Sequence, residues 1–275
     1  MKPPHNVAYL EKALRAMAGS DESLIRLRRT LANVIAGQFL DGAVMRGGGS
    51  LKLRYGEQAT RYTLDFDAAR KVDEADFIER YSGKLAAGWS YFSGRLVRVP
   101  KPHPRNIPGE YVMQPFEVKL TYKNHPWCTV DLEVSYNEVG DADDGDRPPL
   151  PESVLKSFCA LGFPEPSPVP LMRITHQFAQ KLHGVTDSQY SRVQDLIDLQ
   201  LMAAREDIDF AEVNSVCRRL FANRRKQPWP TEALISDEWR MSYEHLKMNL
   251  PVLPTADEAV VWVNNLISRI FRAIP

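Results

Sequence analysis

At 275 residues the chain is long enough for two ordinary domains or one large one, and its 44% hydrophobic and 25% charged fractions are those of a folded soluble protein. That balance excludes a disordered segment, a collagen-like repeat and a disulfide scaffold, and the three cysteines, Cys128, Cys159 and Cys217, are too few and too scattered for a zinc pattern. Thirty-five Lys and Arg offset 35 Asp and Glu, so no global field announces a polyanionic partner.

Two helices are expected first, over 6–18 and from Ser20-Asp21 onward, where short polar side chains can cap a first turn. From about 42 to 135 short β-rich runs follow, at 43–46, 62–68, 89–99, 111–122 and 127–136, with helical segments near 49–55 and 73–86. The stretch 138–151, rich in Asp, Gly and Pro, breaks regular structure; its GDADDGD run at 140–146 reads as a solvated acidic loop. A short helix near 152–161 and a Pro-rich bridge at 163–170 lead into helices near 173–183, 189–204, 209–222, 231–247 and 256–272. The expected division is a sheet domain over 1–162 and a helical domain over 163–275. No apolar run approaches the roughly 20 residues that cross a bilayer. A cytoplasmic protein without membrane association is expected, since charges interrupt the apolar stretch of the N-terminus.

The chemistry lies in a few short segments. In YTLDFDAAR, strand alternation puts Leu64, Phe66 and Ala68 on one face and Thr63, Asp65 and Asp67 on the other, so two carboxylates stand about 6.6 Å apart along the strand. Such a pair can hold a hard divalent cation. A second strand, CTVDLEV, alternates Val130, Leu132 and Val134 with Thr129, Asp131 and Glu133, which offers Asp131 as a third ligand and makes a two-metal site plausible. An isolated Asp-x-Asp is more often the solvated face of an amphipathic sheet. The glycine run upstream changes that balance. MRGGGSLKLRYG places Gly48, Gly49 and Ser50 after an apolar run and before a helix, where backbone N–H groups gather on phosphate. It is neither a P-loop nor a dinucleotide fingerprint, because it lacks both the Lys-Ser/Thr ending and the G-x-G-x-x-G order.

On these residues the chain resembles the AbiEii/AbiGii-type nucleotidyltransferase toxins, relatives of the MenT toxins within the DNA polymerase β-like superfamily. The matching residues run from Arg46-Gly47-Gly48-Gly49-Ser50-Leu51 through Tyr55-Gly56 and Arg61 to Asp67, then to Lys181 and Arg192-Val193-Gln194-Asp195-Leu196-Ile197-Asp198, spanning about 46–202. In the family a Gly-Gly-Thr/Ser element precedes Asp-x-Asp; a third glycine intrudes here, so either Gly49 takes the hydroxyl residue's place with Ser50 shifted by one, or Ser50 fills it. The resemblance implies an α+β fold, a polymerase β-like nucleotidyltransferase sheet domain followed by a helical domain that completes the nucleotide site. It implies transfer of NMP from an NTP, with Mg2+ or Mn2+ on Asp65, Asp67 and Asp131. Gly48, Gly49, Ser50, Lys181 and Arg192 would contact the nucleotide, Asp195 would be an additional essential acid, and Asp198 is carried behind it. An RNA acceptor is implied, foremost the tRNA 3′ end, together with a cognate antitoxin. Two basic groups suit an RNA backbone or a solvated face equally: Arg218, Arg219, Arg224, Arg225 and Lys226 near Trp229, and Arg95, Arg98, Lys101, His103 and Arg105. Transfer to a small molecule or protein side chain, and an inactive nucleotide- or partner-binding module, are the competing readings. His176 and His183 are not at a metal-binding i,i+4 spacing and are expected to be packing or surface residues.

Overall fold

The computed structural model describes residues 2–63, 65–102, 112–188 and 191–274, and divides into two compact units. The first comprises Met1–Glu57 and Thr63–Met172; the second comprises Gln58–Tyr62 and Arg173–Pro275.

In the first unit, helix α1 (Val7–Ala18) starts where the Asn6 side chain accepts the Tyr9 N–H, and α2 (Asp21–Gly37) where Ser20 accepts that of Ser23. Both caps satisfy a donor that the helix itself leaves unpaired. Then come β1 (Ala43–Arg46), α3 (Gly47–Tyr55), β2 (Phe66–Arg70), α4 (Glu74–Ala87), β3 (Phe92–Arg98), β4 (Gln114–Tyr122), β5 (His125–Ser135), β6 (Gly145–Asp146), α5 (Glu152–Ala160) and β7 (Leu171–Met172). Among the described residues they form a seven-stranded mixed sheet, ordered β3-β4-β5-β2-β1-β7-β6, in which β2 runs parallel to β5 and β1 parallel to β7. One face carries Phe66, Ala68, Phe116, Val118, Leu120, Val130 and Leu132, all buried in a core shared with α1, α2, α4 and α5. The opposite face is polar along β5, where Thr129, Asp131 and Glu133 are exposed.

Four expectations are corrected. The strand expected over 62–68 begins at Phe66 and runs to Arg70, so Asp65 precedes the ladder; Leu64 lies outside the described residues. The loop at 140–146 is not simply solvated: Asp141 and Ala142 are buried, Asp141 accepts the Glu138 N–H at 2.8 Å, and Gly145–Asp146 forms β6. The Pro-rich bridge ends in β7 rather than directly in a helix, because Pro170 accepts the Met45 N–H at 2.8 Å and Leu171 registers against Met45. The helix expected at 231 begins at Asp237, where the Ser236 side chain accepts the Trp239 N–H. Tyr111, Gln189 and Tyr190, at the starts of an expected strand and helix, lie outside the described residues.

The second unit packs α6 (Ile174–Val185), α7 (Val193–Ala203), α8 (Phe210–Arg224), α9 (Asp237–Leu246) and α10 (Ala256–Arg272) around buried Phe178, Leu196, Ile197, Leu220, Tyr243 and Val263. No helix among the described residues is long and apolar enough to cross a membrane.

Phe92 sits at the centre of the first unit's aromatic cluster, with ring centroids 5.0 Å from Tyr122 and 5.1 Å from both Trp127 and Phe163. Phe92→Ala removes this packing and should lower the unfolding free energy by about 3–5 kcal/mol, with Phe92→Leu costing less, as read by urea denaturation.

Candidate active site

The geometry starts from glycine. β1 ends at Arg46 and α3 begins at once with Gly47, whose φ of 68° lies in the left-handed region that disfavours any residue with a Cβ. A Cβ on Gly47 would also overlap the Asp67 carboxylate. Two residues on, a Cβ on Gly49 would lie 2.6 Å from the Asp65 carbonyl oxygen and 2.6 Å from Met45 Cε. Glycine is therefore required twice, because the turn presses its backbone directly onto the Asp-x-Asp segment. Arg46 gives α3 no side-chain cap, and the amide dipoles of its first turn concentrate partial positive charge beside the two acids. Ser50, buried in this turn, donates its hydroxyl to the Gly47 carbonyl at 2.9 Å.

Sheet register supplies the neighbours of the acids. Asp67 stands opposite Arg46 on β1 and opposite Glu133 on β5. Asp65 is exposed and tied locally: the Thr63 hydroxyl donates to Asp65 Oδ2 at 3.0 Å and accepts the Asp65 N–H at 3.3 Å. Burial, and then the negative charge of Asp65, push the Glu133 carboxyl above the usual range. Asp131 occupies the same polar face of β5, largely exposed, with Arg29 3.8 Å away. Sequence alternation had put Glu133 on this face without giving it a partner; only the β2–β5 register sets it against Asp67. Arg46 donates to Ser135 at 3.0 Å and lies 3.9 Å from the buried Asp141, so the acidic loop is anchored beside the site. The donors are oxygens suited to a hard cation, yet among the described residues no group of three or more His, Cys, Asp or Glu is assembled closely enough to hold a metal by itself.

The other predicted residues fall in the helical unit. Lys181 is buried in α6 and donates to Asp198 at 2.6 Å and Asp195 at 3.1 Å. Asp198, also buried, accepts from Arg61 at 3.1 and 3.2 Å. Burial disfavours the Lys181 charge, but Asp198 and then Asp195 outweigh it and hold its pKa above the ordinary lysine value. Asp198, ranked behind Asp195 from sequence, is thus the hub of this network. The helix expected near 173–183 continues to Val185, and within it Gly184 is small because the Asp195 carboxylate of α7 packs where its Cβ would be. Arg192 is exposed at the N-cap of α7.

Several of the basic residues have partners within the protein. Lys226 pairs with Asp187 at 3.1 Å, Arg224 meets His183 at 3.2 Å, and Arg218 lies over the Phe271 ring. In the other group Arg98 pairs with Glu74 at 2.7 Å, while His103 and Arg105 lie outside the described residues. His176 and His183 are buried, consistent with packing roles, and the three cysteines are free thiols.

Comparison with known proteins gives a family match over residues 29–263, to the nucleotidyl transferase AbiEii toxins of type IV toxin–antitoxin systems. Among solved structures, the chain is similar to the nucleotidyltransferase toxin MenT4 of Mycobacterium tuberculosis, at 16% identity and a TM-score of 0.51, covering 95% of this chain and 97% of that one. It is also similar to JHP933 of Helicobacter pylori, at 15% identity and a TM-score of 0.48, covering 92% and 93%. No curated protein matches by sequence.

Two substitutions test the geometry by thermal or chemical unfolding. Gly47→Ala should destabilise the protein by about 1–3 kcal/mol through left-handed strain and the Asp67 overlap, whereas Gly83→Ala, in α4 with open space around it, should be neutral or stabilise by up to about 1 kcal/mol. Asp198→Ala takes the shared carboxylate from Arg61 and leaves Lys181 with Asp195 alone, and should cost about 3–5 kcal/mol. Because the folded Lys181 pKa lies above its unfolded value, its contribution is complete below about pH 10 and is lost only as pH rises through the folded value. The Asp198→Ala penalty should therefore be equal at about pH 6 and about pH 8.

Proposed function

Because this chain belongs to the AbiEii nucleotidyl transferase toxin family, an enzyme family that uses NTPs and is paired with antitoxins, we propose that its catalytic centre is the glycine turn of α3 set against Asp65 and Asp67, and that it transfers NMP to the 3′ end of an RNA, most simply tRNA. The carrying observation is the approach of Gly47 and Gly49 to those two acids, which puts an anion-favouring helix N-terminus and a cation-favouring carboxylate pair in one place.

The α3 amides of Gly48 and Gly49, with Ser50 closing the turn, bind the β- and γ-phosphates in this reading. Asp65 and Asp67, with Asp131 as a further ligand, would hold magnesium or manganese, which supplies charge neutralisation at the reacting phosphate and orients the entering and leaving oxygens. Two carboxylates are enough protein ligands for magnesium when water and substrate phosphates complete the shell. The acceptor hydroxyl forms the new bond to the α-phosphorus, the α–β bridging P–O bond breaks, pyrophosphate leaves, and the hydroxyl proton passes to solvent. Lys181, Arg192 and Asp195 are carried into this reading by the family resemblance alone, as nucleotide ligands and an additional essential acid. Nucleotides added to the tRNA 3′ end would block aminoacylation and translation, and the basic residues Arg218, Arg219 and Arg225 suit an RNA backbone.

Incubation with each α-labelled NTP, magnesium and total RNA should put label in the tRNA band, and Asp65→Ala should lower that signal by a factor on the order of 10²–10³. Label confined to protein or small molecules would move the acceptor to those classes, and undiminished labelling by Asp65→Ala would remove this site from the reaction.

A further inference from the structure

The lysine of α3 that the proposed reaction does not use is almost fully buried. Lys52 is 2% exposed, at a helix position where an aliphatic residue would fill the space without desolvating a charge. Its ammonium donates to the Thr63 carbonyl at 2.6 Å and pairs with Glu57 at 3.1 Å, and Glu57 in turn accepts the Thr30 hydroxyl of α2 at 2.8 Å. Thr63, also buried, carries the chain of contacts forward, because its hydroxyl donates to Asp65 Oδ2 and accepts the Asp65 N–H. Asp65 needs such a tether. It lies ahead of β2, whose ladder begins at Phe66, so no strand pairing fixes its backbone.

We infer that Lys52 and Thr63 are positioning residues that hold the Asp65 carboxylate at the metal-binding turn, with Lys52 fixing the Thr63 backbone from beneath and the Thr63 hydroxyl fixing the carboxylate rotamer. The inference rests on the metal-binding reading of Asp65 and extends it to two residues that touch neither metal nor nucleotide. A hydrogen-bonded partner that orients a ligating carboxylate contributes on the order of 10–100-fold to metal affinity. A lysine that served only the core would alter stability and leave metal affinity unchanged.

The test is Mn2+ binding to the full chain, measured as free Mn2+ by electron paramagnetic resonance, alongside the metal-free melting temperature. Thr63→Val and Lys52→Met should each weaken Mn2+ binding about tenfold or more, and Thr63→Ser, which keeps the hydroxyl, should bind as the unsubstituted protein does. If Lys52→Met does not fold by circular dichroism, Thr63→Val decides. A folded Lys52→Met or Thr63→Val protein with unchanged Mn2+ affinity would overturn the inference while leaving the metal reading intact. Absence of Mn2+ binding by the unsubstituted protein would overturn both.

Discussion

Everything proposed for the sheet unit depends on one steric constraint, the contact of a side-chain-free backbone turn with the Asp-x-Asp segment. Gly47 lies against the Asp67 carboxylate and Gly49 against the Asp65 carbonyl, and a Cβ at either place would push α3 away from β2. The two segments carry opposite electrostatic preferences. A helix N-terminus attracts anions and paired carboxylates attract cations, so holding them in contact favours a ligand that brings both, such as a nucleoside triphosphate with its divalent metal. The sheet provides the frame: β1 delivers the turn, β2 delivers Asp67, and their antiparallel register fixes Arg46 opposite Asp67.

The protein treats its two acidic clusters differently. In the helical unit Asp195 and Asp198 meet Lys181 and Arg61, so two negative charges face two positive ones within a buried network. Removing one member would leave an uncompensated charge, which gives that network the character of a rigid scaffold. In the sheet unit burial, and then repulsion from Asp65, raise the pKa of Glu133, and a bound cation would relieve the repulsion. Arg29, 3.8 Å away, partly offsets Asp131. The contrast marks the sheet acids, more than the helical ones, as places where a cation changes the local balance.

Much of this was legible in the sequence where local chemistry decides the structure. Asn6 and Ser20 mark helix starts because a short polar side chain caps a first turn, and Ala43–Arg46 reads as a strand and is one. The Gly-Ser turn followed by Asp65 and Asp67 was readable as a unit because each part is a continuous segment. Other features depend on partners distant in sequence. β6 and β7 are two residues each and exist only because β1 offers an edge, so no periodicity could reveal them. Glu133 was visible on a polar strand face, but its place opposite Asp67 follows from a parallel register that alternation cannot supply. Asp141 looked solvated within a run of acids, and its burial near Arg46 depends on a partner distant in sequence. Lys52 carries no signal at all in the sequence, since a lysine at that helix position ordinarily reads as a surface residue.

The most direct measurement is a crystal structure of the protein with Mn2+ and a non-hydrolysable NTP, phased to show anomalous scattering from manganese. The account predicts an anomalous peak bound by Asp65 and Asp67, with the triphosphate at the N-terminus of α3 against Gly48 and Gly49. Manganese bound elsewhere, or a triphosphate seated away from that turn, would contradict it.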